Sequence, residues 1–237
     1  RHRETPDSLI RPSGEVEPDF ARSVLAGYGE FLAADEPAAA FPALAKFRVL
    51  CALRRGRMGT ETVNRVIEDV LSLRAVRRDS MPGELLPARP LDPRGPFYSH
   101  RVVMVTRNDY STGLFNGDVG IVLPDRDSKG EVAVFFEWTG KPAGGEGGYR
   151  KVSRRLLPEH ETAFAMTIHK SQGSEFRRLL VLLPNWDNLV LTRELVYTAI
   201  TRTETGVELW STREVFLNAI QRRVLRFSGL GRQLAAG

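Results

Sequence analysis

Apolar residues along this chain fall into three patterns, and each predicts a different element. In FARSVLAGYGEFLAAD (20–35) they recur at near-helical spacing and predict a helix. In TETVNRVIEDVLSL, Val63, Val66, Ile67, Val70 and Leu71 form one helical stripe, with Thr60 or Thr62 placed to cap it. FRVLCAL (47–53) is short, continuous and bounded by RRGRMG, as suits a strand buried on both faces of a parallel sheet. TAFAMTI (162–168), RLLVLLP and GVELWS read as further strands, TRELVYTAIT as a helix, and REVFLNAIQRRVLRF as a closing helix.

The third pattern lies between these. Pro82, Pro87, Pro90, Pro93 and Pro96 mark a linker. After it, RVVMV (101–105), VGIVL (119–123), VAVFFEW (132–138) and YRKVS (149–153) are short β-type runs separated by Gly-containing turns. Such spacing predicts a small antiparallel barrel or sheet. The organisation expected is a flexible lead-in (1–19), a discontinuous α/β domain (20–96 and 159–237) and a small β insertion (97–158).

Composition changes this picture modestly. The chain has 237 residues, 42% of them hydrophobic, enough for a sizeable core. A formal net charge of +5 favours an acidic partner such as nucleic acid, or is simply a solvated basic surface. Arg101, Arg107, Arg150, Lys151, Arg154 and Arg155 gather in the insertion and admit the same two readings. The single cysteine, Cys51, excludes an internal disulfide and fits a reducing, cytoplasmic compartment. No signal-peptide pattern and no long apolar run point to a membrane.

The chemistry concentrates in AFAMTIHKSQGSEF (163–176). A strand ending in a polar, Gly-containing turn before a helix is the usual ligand site of an α/β sheet. Thr167 and Ser171 offer hydroxyls and Lys170 a point charge. Gly173 permits close backbone approach, and Glu175 can accept from a sugar hydroxyl. These groups suit phosphates and a ribose; the plainer alternative is a polar turn with a capping Ser. Arg202, after ELVYTAIT, is either a partner for the helix dipole or an arginine finger aimed at a transferring phosphate. Arg54 adds a guanidinium at the carboxyl end of FRVLCAL.

These stretches carry a resemblance. TIHKSQGSEF resembles motif V of superfamily 1 helicases, LVYTAITR motif VI and LCALR motif IV. RNDYSTGLFNGDVGIV and LPEHETAFAMTIHKSQGSEF are similar to the RecD subunit of the RecBCD enzyme, exodeoxyribonuclease V. The resemblance covers residues 20 to 230. It implies the second RecA-like domain of a 5′-to-3′ DNA helicase in double-strand break repair, interrupted by a Src-homology-3-like barrel. Its implied partners are single-stranded DNA, RecB-like and RecC-like subunits, and an upstream RecA-like domain of the same polypeptide. By position, Arg202 and Arg54 would both face the γ-phosphate of ATP. Gln172, Gly173 and Glu175 would lie on the nucleotide, and Thr167, His169, Lys170 and Ser171 on DNA, with the division between Lys170 and Gln172 left open.

The chain has no G-x-x-x-x-G-K-[ST], and TGKPAGGEGG lies in the insertion with Pro after Lys. No acidic magnesium motif follows a buried strand. In the resembled family those parts lie upstream, so ATP and Mg²⁺ would be held mainly there and this stretch alone would not hydrolyse ATP. His160 and Glu161 begin H-E-T-A-F, which lacks the second His of a zinc protease, and neither a metal cluster nor a nuclease carboxylate set is readable. Strand cleavage would fall to a partner subunit. The alternatives are a stand-alone RecD-like helicase, the helicase domain of a conjugative relaxase, or a non-catalytic adaptor binding DNA or protein.

Overall fold

The structure is a computed structural model that describes residues 1–76, 81–128, 130–138 and 148–223. GKPAGGEGG falls almost wholly outside them, as do the end of the closing helix, the tail and the start of the proline segment.

Two five-stranded sheets organise the chain. The first has the order β1-β10-β9-β2-β8, built from His2–Arg3 (β1), Phe47–Cys51 (β2), Ala165–Thr167 (β8), Phe176–Leu182 (β9) and Thr203–Trp210 (β10). Every pairing in it is parallel. All of β2 is buried, as suits a mainly apolar strand covered on both faces, and its one charged residue, Arg48, donates to the Ala163 carbonyl at 2.7 Å. Helix α1 (Pro18–Leu32) sets Tyr28 against Phe47 and Phe164 at 5.1 and 5.6 Å, and the Tyr28 hydroxyl donates to the Phe164 carbonyl at 2.6 Å. The other helices are α2 (Pro37–Ala45), α3 (Thr60–Leu71), α4 (Arg193–Ile200) and α5 (Arg213–Gln221).

The second sheet is antiparallel, in the order β6-β5-β4-β3-β7. Its strands are Val102–Val105 (β3), Val119–Pro124 (β4), Val132–Glu137 (β5), Tyr149–Val152 (β6) and His160–Thr162 (β7). Side chains of β3 alternate between two cores: Val102 and Met104 join the main one, while Val103 and Val105 pack with Leu114, Val122, Val134 and Phe136. One face of this sheet therefore leans on the α/β body and the other closes a small core of its own.

Three expectations are corrected. Residues 1–19 are not a loose lead-in: β1 pairs with β10, and Leu9 and Val16 are buried. TAFAMTI is not one strand: the chain leaves the antiparallel sheet at Thr162, turns through buried Ala163 and Phe164, and enters the parallel sheet at Ala165. Asn64 of α3 holds that switch. Its amide donates to the carbonyls of Thr162 and Ala165 and accepts from Ala165 N–H at 2.7 Å. Neither Thr60 nor Thr62 caps α3, because Gly59 is the N-cap. Thr60 and Glu61 N–H groups donate to the carbonyls of Leu53 and Arg54 at 3.0 and 3.2 Å. A Cβ on Gly59 would lie 2.5 Å from the Arg54 carbonyl oxygen, so only glycine permits this clamp.

Candidate functional site

Strand register sorts the candidate residues onto two ends of the parallel sheet. Thr167 lies beside Cys51, and Cys51 beside Leu182, so the carboxyl ends of β8, β2 and β9 are level. Arg54 follows the β2 end; His169 and Lys170 follow the β8 end. Thr203 lies beside Phe176, which puts Arg202 and Glu175 at the opposite end of the sheet. The seven-residue β9 separates the two ends by about 20 Å at ~3.3 Å per residue. Arg54 and Arg202 therefore stand at opposite ends of the sheet rather than side by side.

Residues 168–175 run from one end to the other. Consecutive turns lead straight into β9, the strand expected from RLLVLLP. Ser171 N–H donates to Thr167 C=O at 3.2 Å, and Ser174 N–H to Ser171 C=O at 3.0 Å. The Ser171 side chain is fully buried and donates to the Ile168 carbonyl at 2.8 Å. It braces the turn from inside, so its expected place on DNA is corrected. Gly173 has φ +88°, a left-handed backbone that strains any residue with a Cβ. Gln172, Gly173, Ser174 and Glu175 are exposed.

At the amino-terminal end of the strands, α4 delivers Arg202. Thr192 caps this helix by accepting from Leu195 N–H at 3.2 Å. The Arg202 main chain is fixed on both sides: its N–H donates to Ala199 C=O, and its C=O accepts from Phe176 N–H at 2.9 Å. Its side chain is different. Arg202 Nε is buried and has no hydrogen-bond partner, a state it shares with Nε of Arg48 in β2. A buried guanidinium nitrogen without an acceptor costs free energy that an incoming anion would recover. Arg177 and Arg178, at the start of β9, are exposed nearby.

The other end carries a partly exposed ionic set. Thr167 Oγ1 accepts from Lys170 N–H at 3.3 Å, which leaves its own proton to donate outward. His169 is exposed. Lys170 Nζ lies 3.0 Å from Glu161 Oε1, and Arg54 Nη2 3.3 Å from Glu161 Oε2. Arg54 Nε is also 3.3 Å from Glu61. In the sequence Glu161 reads only as half of an incomplete zinc motif. The better signal was a carboxylate placed just ahead of a run of cationic and hydroxyl groups.

The basic residues of the insertion are mostly engaged. Arg101 donates to Thr162 and Pro96, Lys151 pairs with Asp125 and Asp127, Arg154 pairs with Glu131, and Arg150 lies over Trp138 at 5.1 Å. Among the described residues no group of three or more His, Cys, Asp or Glu could hold a metal ion, and no helix is long and apolar enough to cross a membrane.

Residues 162–209 match the UvrD-like helicase C-terminal domain, a span that holds every candidate residue except Arg54. The chain is 36% identical over 187 residues to the RecBCD enzyme subunit RecD of Haemophilus influenzae, covering 79% of this chain and 25% of the relative. It is 38% identical over 195 residues to that of Mycolicibacterium smegmatis, covering 82% and 30%. It thus spans 25% and 30% of the lengths of these two relatives. A crystal structure of Pif1 helicase from Bacteroides with ADP-AlF3 and single-stranded DNA aligns over 93% of this chain and 54% of its own, at 20% identity and a TM-score of 0.41. The chain is a relative of the RecD subunits that carries a UvrD-like helicase C-terminal domain.

Proposed function

We propose that this chain is the second RecA-like motor half of an ATP-dependent 5′-to-3′ DNA helicase that works with RecB-like and RecC-like subunits in double-strand break repair. The antiparallel sheet is read as its Src-homology-3-like insertion, and residues 97–158 as a unit distinct from the discontinuous α/β domain. The upstream half of the same polypeptide holds ATP and magnesium. This half contributes Arg202, Gln172, Gly173 and Glu175 at one end of its sheet, and Thr167, His169, Lys170 and Arg54 to single-stranded DNA at the other.

The observation that carries this reading is the placement of Arg202 beside Glu175 at one end of the sheet, half-buried and on a main chain locked between α4 and β9. A helix-end cation serving only the dipole needs neither burial nor a fixed backbone. A guanidinium held still offers two parallel donors and permanent charge to the oxygens of a transferring phosphoryl group. The test uses the complete polypeptide. Arg202→Ala should lower DNA-stimulated ATP turnover by about 10³–10⁵-fold while leaving folding and DNA binding nearly intact. Arg202→Lys should recover little. A lowered melting temperature with near-normal turnover refutes the finger.

A further inference from the structure

The ionic set at the carboxyl end of the sheet has an unusual composition for a surface that meets DNA. Two cations from different segments, Arg54 after β2 and Lys170 after β8, converge on one carboxylate, Glu161 of β7. Each takes a different oxygen, at 3.3 and 3.0 Å. A phosphate presents two non-bridging oxygens in much the same way, and Arg and Lys bind both anions by the same donors. Neither cation is buried: their side chains are 60% and 30% exposed, and Glu161 is 26% exposed. The set is therefore open to exchange with solvent ions.

Its main chain is held by hydrogen bonds. The Arg54 carbonyl is clamped by Glu61 N–H, and the Lys170 N–H is held by Thr167 Oγ1. Glu161 sits in a strand registered against Met104. Of the charges meeting here, Arg54, Lys170 and Arg55, the last 3.9 Å from Glu61, face only Glu61 and Glu161, so the cluster keeps a net positive charge.

We propose that Glu161 is an internal phosphate surrogate: it occupies the Arg54–Lys170 pair and is displaced by a backbone phosphate of single-stranded DNA. This rests on the reading that DNA crosses this end of the sheet. Glu161 is thus a positioning residue that keeps two cations parallel and ready between encounters, and its competition weakens the hold on each phosphate. A translocating motor must release every phosphate it binds, and a built-in competitor lets go without a separate step. Because Glu161 belongs to the antiparallel sheet and its two partners to the parallel one, displacement also opens an ionic tie between the two sheets.

The test is equilibrium binding of a fluorescein-labelled oligothymidylate by the complete polypeptide over a range of salt. Glu161→Gln, which keeps shape and removes charge, should tighten binding by about two- to tenfold at low salt, as expected for freeing two exposed pairs. The slope of log affinity against log salt should steepen by about 0.7 for each cation released. In a Lys170→Gln background the same substitution should gain less, since one of the two cations is gone. Binding by Glu161→Gln that is unchanged or weaker, at wild-type melting temperature, overturns the proposal; so does an undiminished gain without Lys170. If Gln proves unsuited to the strand, Glu161→Thr removes the same charge with a better β-former. Should Lys170→Gln alone leave binding untouched, it is the placement of DNA that fails, a different result from any of these.

Discussion

Asn64 offers the clearest quantitative test of how the site is built. It is nearly fully buried on α3 and closes the edge of the parallel sheet where β8 has no neighbouring strand. Asn64→Ala removes the partner of Ala165 N–H and one partner each from the Thr162 and Ala165 carbonyls. A buried backbone group left unpaired costs about 1–3 kcal/mol. The neighbouring cleft beside Thr60, Glu61 and Glu161 lets water reach part of the gap, which brings the total down. The expected loss is about 2–4 kcal/mol, or a fall in melting temperature of about 4–16 °C for a chain of this size. Urea unfolding followed by tryptophan fluorescence measures it. Asn64→Asp keeps an acceptor for Ala165 N–H but turns a carboxylate on two carbonyls, so at neutral pH it should be at least as harmful. A loss under about 0.5 kcal/mol, the size of an ordinary surface substitution, would refute the reasoning.

Other outcomes follow from the same geometry. Thr167→Ala in the complete polypeptide should weaken binding of all single-stranded sequences alike, since phosphate contacts carry no base information; a loss confined to one sequence would refute a backbone role. Gly59→Ala should cost about 1–3 kcal/mol and lower DNA affinity by shifting Arg54, read by melting and by binding together. His100 is held neutral: burial pushes its pKa down, against the raising effects of the Ala34 carbonyl at 3.1 Å and of Asp35, while Arg89 lowers it further. The unfolded chain then binds the proton more readily, so stability should fall as pH drops below about 6.5, and His100→Gln should flatten that slope. Cys51 is buried and its thiol is pushed up by desolvation, so iodoacetamide should label it only after unfolding, as read by mass spectrometry.

Much of the parallel sheet was legible because buried strands leave short, mainly apolar runs: FRVLCAL and RLLVLLP each hold a strand. The elements that were missed wrote no such pattern. β1 is two polar residues whose place depends on Leu209 and Trp210 far along the chain. α2 begins on one proline and contains another, Pro42, so its sequence reads as a loop. TAFAMTI hid a change of sheet because both halves are apolar; the amide that holds it, Asn64, is about a hundred residues away. The site shows the same limit. Sequence says that Arg54 follows one strand and Arg202 precedes another, but only strand order and register show that these are opposite ends. Glu161 was visible as a residue and not as a partner, because Arg54 and Lys170 reach it from separate segments.

The central claim is that the two ends of one sheet serve two ligands, and a paired measurement tests it. In the complete polypeptide, ATP turnover at saturating single-stranded DNA and DNA affinity without nucleotide are determined for Arg54→Gln and Arg202→Ala. Arg202→Ala should lose about 10³–10⁵-fold in turnover with DNA affinity near wild type. Arg54→Gln should weaken DNA binding with a shallower salt dependence and regain near-normal turnover once DNA is saturating. If Arg54→Gln collapses turnover at saturating DNA as Arg202→Ala does, the two arginines serve one phosphate and the division of the sheet into two ends is wrong.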